Sequence, residues 1–140
     1  MDKTIHDAIY RAVENEPFAQ RLGMRLLELA DGYALVEMQY RPETMGNIYR
    51  RAHGGAVFAL IDEAFEAACQ ADGTITVALN VNVNYVTSPQ TATRLKAEAR
   101  RVSQTRKTAG YDITVTDEND NLIATCQALA YRTGKPIPFL

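Results

Sequence analysis

"RAHGGAVFALIDEAFEAACQADGTITVALNVNVNYV", residues 51–86, sets two hydrophobic periodicities end to end. From about Gly54 to Ala71, alanine stands at 56, 59, 64, 67, 68 and 71, with Val57, Phe58, Leu60, Ile61 and Phe65 between. A helix apolar over most of its circumference is a buried one, and Gly73 marks its end. From Thr74 to Val86 the period changes to two. Ile75, Val77, Leu79, Val81, Val83 and Tyr85 alternate with Thr76, Ala78, Asn80, Asn82 and Asn84. That pattern predicts a strand with one apolar face, as in an antiparallel sheet covered on one side. Pro89 closes it.

Working outward, residues 4–15 place Ile5, Ala8, Ile9, Ala12 and Val13 at helical spacing, and Pro17 follows the end of that helix. Between Met24 and Tyr40 two apolar runs flank "ADG" (30–32), the signature of a hairpin turn. Residues 41–52 lack periodicity and read as a loop. Alternation returns over 94–102 and slips phase at Arg100–Arg101, which suggests a bulge. The runs 110–116 and 122–131 flank the turn "DENDN". The order is helix, two strands, buried helix, four strands. Segregated strands of this kind predict an α+β fold. One antiparallel sheet wrapped around a long central helix satisfies every element, and its free edges make edge-to-edge dimerisation plausible.

The bulk numbers narrow the function classes. The 140 residues fit a single domain spanning 1–140. A net charge of -2 gives no electrostatic case for nucleic acid. No apolar run is long enough to span a membrane, and the opening "MDKTIHDAIYRAVENEP" is too charged for a signal peptide. Cys69 and Cys126, both inside regular elements, are expected to be reduced and buried in a cytoplasmic protein. Two distant histidines and no cysteine cluster offer no metal ligand set.

The central helix carries chemistry at its start. Backbone N–H groups there have no internal partner, and the macrodipole adds partial positive charge. Gly54 and Gly55 lack a Cβ, so a carbonyl oxygen could approach those groups closely, which would make a backbone oxyanion hole. At 100° per residue, Asp62 shares a stripe with Gly55, Phe58, Phe65, Glu66 and Cys69, and Glu63 lies about 100° round. That carboxylate stands about 11 Å along the axis from the glycines. An elongated substrate or a second subunit must close the gap. The competing reading makes Asp62, Glu63 and Glu66 one solvated edge and the glycines merely a turn.

"HGGAVFALID" (53–62) followed by "EAFEAAC" (63–69) resembles the central helix of the hotdog-fold acyl-CoA thioesterases, in their PaaI-like branch. The likeness extends to the lead-in helix, the loop asparagine, "NYVTSP" (84–89) and "TAGYDI" (108–113). The resemblance implies that Asp62 activates or supplies the nucleophile and that the Gly54 N–H polarises the thioester carbonyl. His53 would shape the loop and Asn47 would position the attacking water. It further implies a homodimer or homotetramer, with Asn47 and the His-Gly-Gly turn of one subunit facing Asp62 of the other. The chain departs from the family where Gly46 precedes Asn47 and "IYRR" (48–51) fills the gap to the histidine. No supporting serine, threonine or histidine can be matched in "VALNVNVN"; Thr76 and Asn80 are nearest. Coenzyme A enters as part of the substrate, so no cofactor is expected. Arg100, Arg101, Arg106 and Lys107 are candidates to hold its phosphates, the alternative being solvated strand ends. Phenylacetyl-type, hydroxybenzoyl-type and medium-chain acyl groups all fit. The rival functions are a non-catalytic acyl-CoA-binding hotdog module and a hotdog dehydratase or hydratase.

Overall fold

The computed structural model describes residues 1–140. Helix α1 (Lys3–Asn15) starts at Asp2, whose carboxylate accepts from the Thr4 and Ile5 N–H groups at 2.8 and 3.2 Å, a side-chain cap on otherwise unpaired donors. It buries Ala8, Ile9 and Val13. A short helix not anticipated from the sequence, α2 (Pro17–Leu22), follows at once. Pro17 did end α1, but proline is also well suited to the first turn of a helix.

Strands β1 (Arg25–Ala30) and β2 (Tyr33–Tyr40) form the expected hairpin, with Gly32 at φ +66° in its turn. The segment read as a loop contains one helical turn, α3 (Pro42–Met45), too short to show a period. Then come α4 (Gly54–Gln70), β3 (Thr74–Tyr85), β4 (Thr93–Gln104), β5 (Thr108–Thr116) and β6 (Leu122–Pro136). The six strands form one antiparallel sheet in the order β1-β2-β4-β5-β6-β3. Helix α4 lies across β2, β3, β4 and β5, which is the predicted sheet around a central helix.

The packing explains the alanine count. Ala34, Ala97, Ala99, Ala124 and Ala130 are fully buried on the sheet, so the helix can settle close to the strand backbones. Leu60, Ile61, Ala64 and Phe65 fill the space between, each larger side chain contributing roughly 1.5–3 kcal/mol by burial. No helix is long and apolar enough to cross a membrane.

Two register shifts correct the sequence reading. In β3 the pairing with β6 passes from Ala78↔Ala130 to Asn80↔Leu129, leaving Leu79 as an extra residue. The inward face is therefore Thr76 and Ala78 before the bulge, then Val81, Val83 and Tyr85 after it. Residues directly opposite share a face, and their partners Ala128, Cys126 and Ala124 are all buried. Val77 and Leu79, expected in the core, are 49% and 57% exposed. In β4 the shift falls between Arg101 and Ser103, so the extra residue is Val102, one position beyond the predicted slip. β3, twelve residues long, is one of the two edges of the sheet, β1 being the other.

Candidate active site

His53 is the cap of α4. Its Nδ1 accepts from the Gly55 N–H at 2.8 Å, while its own N–H donates to the Met45 carbonyl at 2.8 Å. With Nδ1 accepting, a neutral ring carries its proton on Nε2. A Cβ on Gly55 would stand 3.1 Å from Nδ1, so glycine makes room for the cap. The Gly55 N–H is thus taken, whereas that of Gly54, the first helical residue, has no acceptor within the helix. Of the two glycines, Gly54 is the free donor at the positive end of α4.

Tyr85, which the sequence reading passed over, holds that donor in place. Its hydroxyl donates to the Gly54 carbonyl at 3.0 Å, and a Cβ on Gly54 would meet its ring at 3.3 Å. The signal was its position as the last residue of β3, where the strand returns alongside the start of the helix.

Asn47 closes the loop before the helix. Its Oδ1 accepts from the Tyr49 and Arg51 N–H groups at 2.9 and 3.1 Å, and its N–H donates to the Arg51 carbonyl at 2.8 Å. Arg50, at φ 58°, makes the reversal. The inserted "IYRR" is therefore a turn wound on the Asn47 carboxamide. Asn47 and Gly54 line one groove of about 280 Å³ with Val57, Tyr85 and Ser88. Arg51 donates to the Ser88 carbonyl on its rim at 3.0 Å.

Asp62 opens on a different groove, of about 210 Å³, beside Phe65, Glu66, Cys69, Thr76 and Ala78. It is solvent-exposed in the isolated protomer, yet the groove walls crowd its carboxyl and raise its pKa by desolvation. Cys69, beside it, is pushed up to about 12 by burial, so that thiol is inert. Cys69 and Cys126 are both free and buried, as expected. Thr76 lines the Asp62 groove, but its hydroxyl is already donated to the Thr74 carbonyl at 3.1 Å. The Asn80 side chain is engaged with Asn82. Phe65 belongs to the core at 2% exposed, while Phe58 is 37% exposed. Glu63 corrects the solvated-edge reading, being only 3% exposed.

The four basic candidates lie away from both grooves. Arg100 pairs with Glu98 at 2.6 Å and stacks over the Tyr33 ring at 4.6 Å. Arg101 grips Asp31 through two hydrogen bonds of 3.0 and 2.9 Å, pinning the β1–β2 turn. Arg106 and Lys107 sit in the β4–β5 turn. Arg132 ties that turn to Asp72, just past the end of α4, by donating to the Thr105 and Arg106 carbonyls. That is the end of the helix opposite Gly54. Arg101→Ala is expected to lower stability by about 1 kcal/mol, as loss of a partly exposed ion pair does; a thermal melt checks it.

Residues 49–124 match the family model of the thioesterase superfamily. The chain is 28% identical over 124 residues to the acyl-coenzyme A thioesterase PaaI of Escherichia coli, covering 89% of this chain and 88% of that one. The solved PaaI structure from the same organism superposes with a TM-score of 0.90 over 95% of this chain and 96% of that one, at 27% identity. A mutant structure of the phenylacetic acid degradation protein PaaI from Thermus thermophilus gives 0.79 at 33% identity, covering 84% and 99%. The smu.793 protein of Streptococcus mutans, solved bound to acetyl-CoA, gives 0.76 at 26% identity, covering 81% and 91%. This chain belongs to the thioesterase superfamily, as a PaaI-like hotdog thioester hydrolase.

Proposed function

We propose that the protein hydrolyses an acyl-CoA thioester to a free acid and coenzyme A, at sites shared between two copies of the chain. One observation carries the shared site: the donor groove of Gly54 and Asn47 and the acid groove of Asp62 are separate on a single protomer. Along the helix axis the step of eight positions from Gly54 to Asp62 amounts to about 12 Å. A second chain placed antiparallel along the exposed β3 edge brings the Asp62 of one copy toward the Gly54 of the other. Support for the substrate class comes from the acyl-coenzyme A thioesterase of E. coli and the acetyl-CoA-bound S. mutans relative.

The chemistry then needs few parts. A thioester carbonyl is already electrophilic and its thiolate leaves readily. The Gly54 N–H donates to the carbonyl oxygen where negative charge develops, an effect worth roughly 10²–10³-fold. Asp62 takes a proton from water as the water oxygen attacks the carbonyl carbon. The C–S bond then breaks and the departing thiolate is protonated. In the covalent variant the Asp62 carboxylate attacks first and water opens the resulting anhydride. The Asn47 amide N–H₂ is the group placed to hold the water, its oxygen being committed to the loop. Phenylacetyl-type, hydroxybenzoyl-type and medium-chain acyl groups are the substrates to try. The oxyanion donor, the Asp62 base and the dimer form one proposal.

Free-thiol release from a panel of acyl-CoA thioesters tests the activity, and subunit mixing tests the shared site. Asp62→Asn and Asn47→Ala chains, each nearly inactive alone, are unfolded and refolded together. Random pairing yields mixed dimers with one intact site of two, so about a quarter of wild-type activity should return. No recovery, with mixed dimers present, would place the whole site within one subunit.

A further inference from the structure

We propose that Glu16, Glu63 and Glu66 bind a hard divalent cation of calcium size where the α1–α2 junction meets α4. Glu16 lies between the two N-terminal helices, in extended backbone at φ -70° and ψ 122°. Glu63 and Glu66 stand three apart on α4, hence on neighbouring positions of one face. One oxygen from each of the three carboxyls lies within 4.8 Å of the other two. None of the protein's ion pairs involves any of them.

A crowd of carboxylates on a surface would mean nothing by itself. Here one member is 97% removed from water, at 3% exposure, and its Oε1 finds no hydrogen-bond donor. Buried polar groups are nearly always paired, and an exception asks for an unseen partner. A cation would supply that partner, and no lysine, arginine or histidine pairs with any of the three carboxyls.

The geometry selects the kind of cation. Calcium takes oxygen ligands at 2.3–2.6 Å, so oxygens around one ion stand at most about 5 Å apart, which the present spread satisfies. Magnesium, with bonds near 2.1 Å, needs them within about 4.2 Å and demands stricter geometry. Oxygen-only ligands also disfavour zinc and copper, which prefer nitrogen and sulfur. Glu66 is exposed and Glu16 half-buried, so the ion can enter from solvent. An adjoining groove of about 220 Å³ between α1, α4 and Phe139, bordered by Glu16 and Glu66, leaves room for water ligands. The bound ion would tie the α1–α2 corner to the central helix beside Asp62.

The full-length chain is stripped with EDTA, dialysed to pH 8.5 so that protons compete little, and titrated with calcium, magnesium or manganese chloride. Calorimetry is expected to show one calcium per chain, with magnesium weaker. The melting temperature should rise with calcium across the same concentrations. Glu63→Gln, which keeps the side-chain shape, and Glu66→Gln, at an exposed position, should each weaken calcium binding roughly tenfold or more. No heat and no shift by about 10⁻³ M, where even weak calcium modules fill, would overturn the site in favour of carboxyls sharing protons. Equal binding by the wild type and both variants would overturn it as well.

Discussion

Asp62→Asn is expected to lower kcat/KM for thioester hydrolysis by roughly 10²–10⁴-fold while leaving the fold intact. The side chain forms no ion pair and opens on a groove, so its removal strands no partner. Asparagine has nearly the same shape but neither takes a proton from water nor attacks a carbonyl. The loss should fall on kcat, because the acid acts on the transition state rather than on substrate binding. The pH profile adds a signature. A general base works ionised, and desolvation raises the Asp62 pKa. Activity should therefore fall with decreasing pH at values above the ordinary carboxylate range of about 4. Glu66→Gln, in the same groove, is the control. A large loss there with Asp62→Asn active would move the role to Glu66. Single turnovers in heavy-oxygen water add a one-way test: label in Asp62 shows an anhydride opened at the enzyme's acyl carbon, whereas an unlabelled Asp62 fits general-base hydrolysis or opening at the substrate's carbonyl carbon.

The parts of this molecule written in local periodicity could be read before the structure, and those written in register could not. The alanine-rich stretch 54–71 has one reading, because only a buried helix is apolar on so many sides, and α4 spans Gly54–Gln70. The alternation of 74–86 gave the strand but not its faces. A single extra residue at Leu79 reverses every side chain beyond it, and bulges have no strong sequence mark. The His-Gly-Gly turn and Asn47 were legible because their bonds are local, within a few residues of one another. Tyr85 and Gly54 are 31 residues apart in the chain and meet only through the sheet. The partners of the arginines were hidden for a related reason: composition shows a charge but not what it pairs with. Arg101 finds Asp31 seventy residues away. The Glu16 contact with Glu63 is of the same kind, and a search for metal ligands that looks for histidine and cysteine passes over it.

That contact sets the second large effect. In calcium-free buffer, Glu63→Gln should stabilise the protein at pH 8.5 by on the order of 3–5 kcal/mol, at about 1.4 kcal/mol for each tenfold change in proton affinity. Burial, then the charges of Glu16 and Glu66, push the Glu63 carboxyl up to about 8 from an ordinary 4.5. Between those values the folded chain holds a proton that the unfolded chain has released. Stability falls wherever the folded state binds more protons as pH rises. The favourable contribution is therefore complete below about 4.5 and is lost as pH climbs through about 8. Glutamine is neutral throughout and keeps an N–H₂ to donate to Glu16, so its curve should stay nearly flat across this window. The two proteins should melt together near pH 4.5 and separate by about 10 °C at pH 8.5, taking roughly 3 °C per kcal/mol for a chain of this length. Parallel melting curves across the range would mean that Glu63 ionises freely in the fold. Calcium supplies a further discrimination at pH 8.5. It should raise the wild type toward the variant and leave the variant nearly unmoved, because the ion compensates the same buried charge that the substitution deletes.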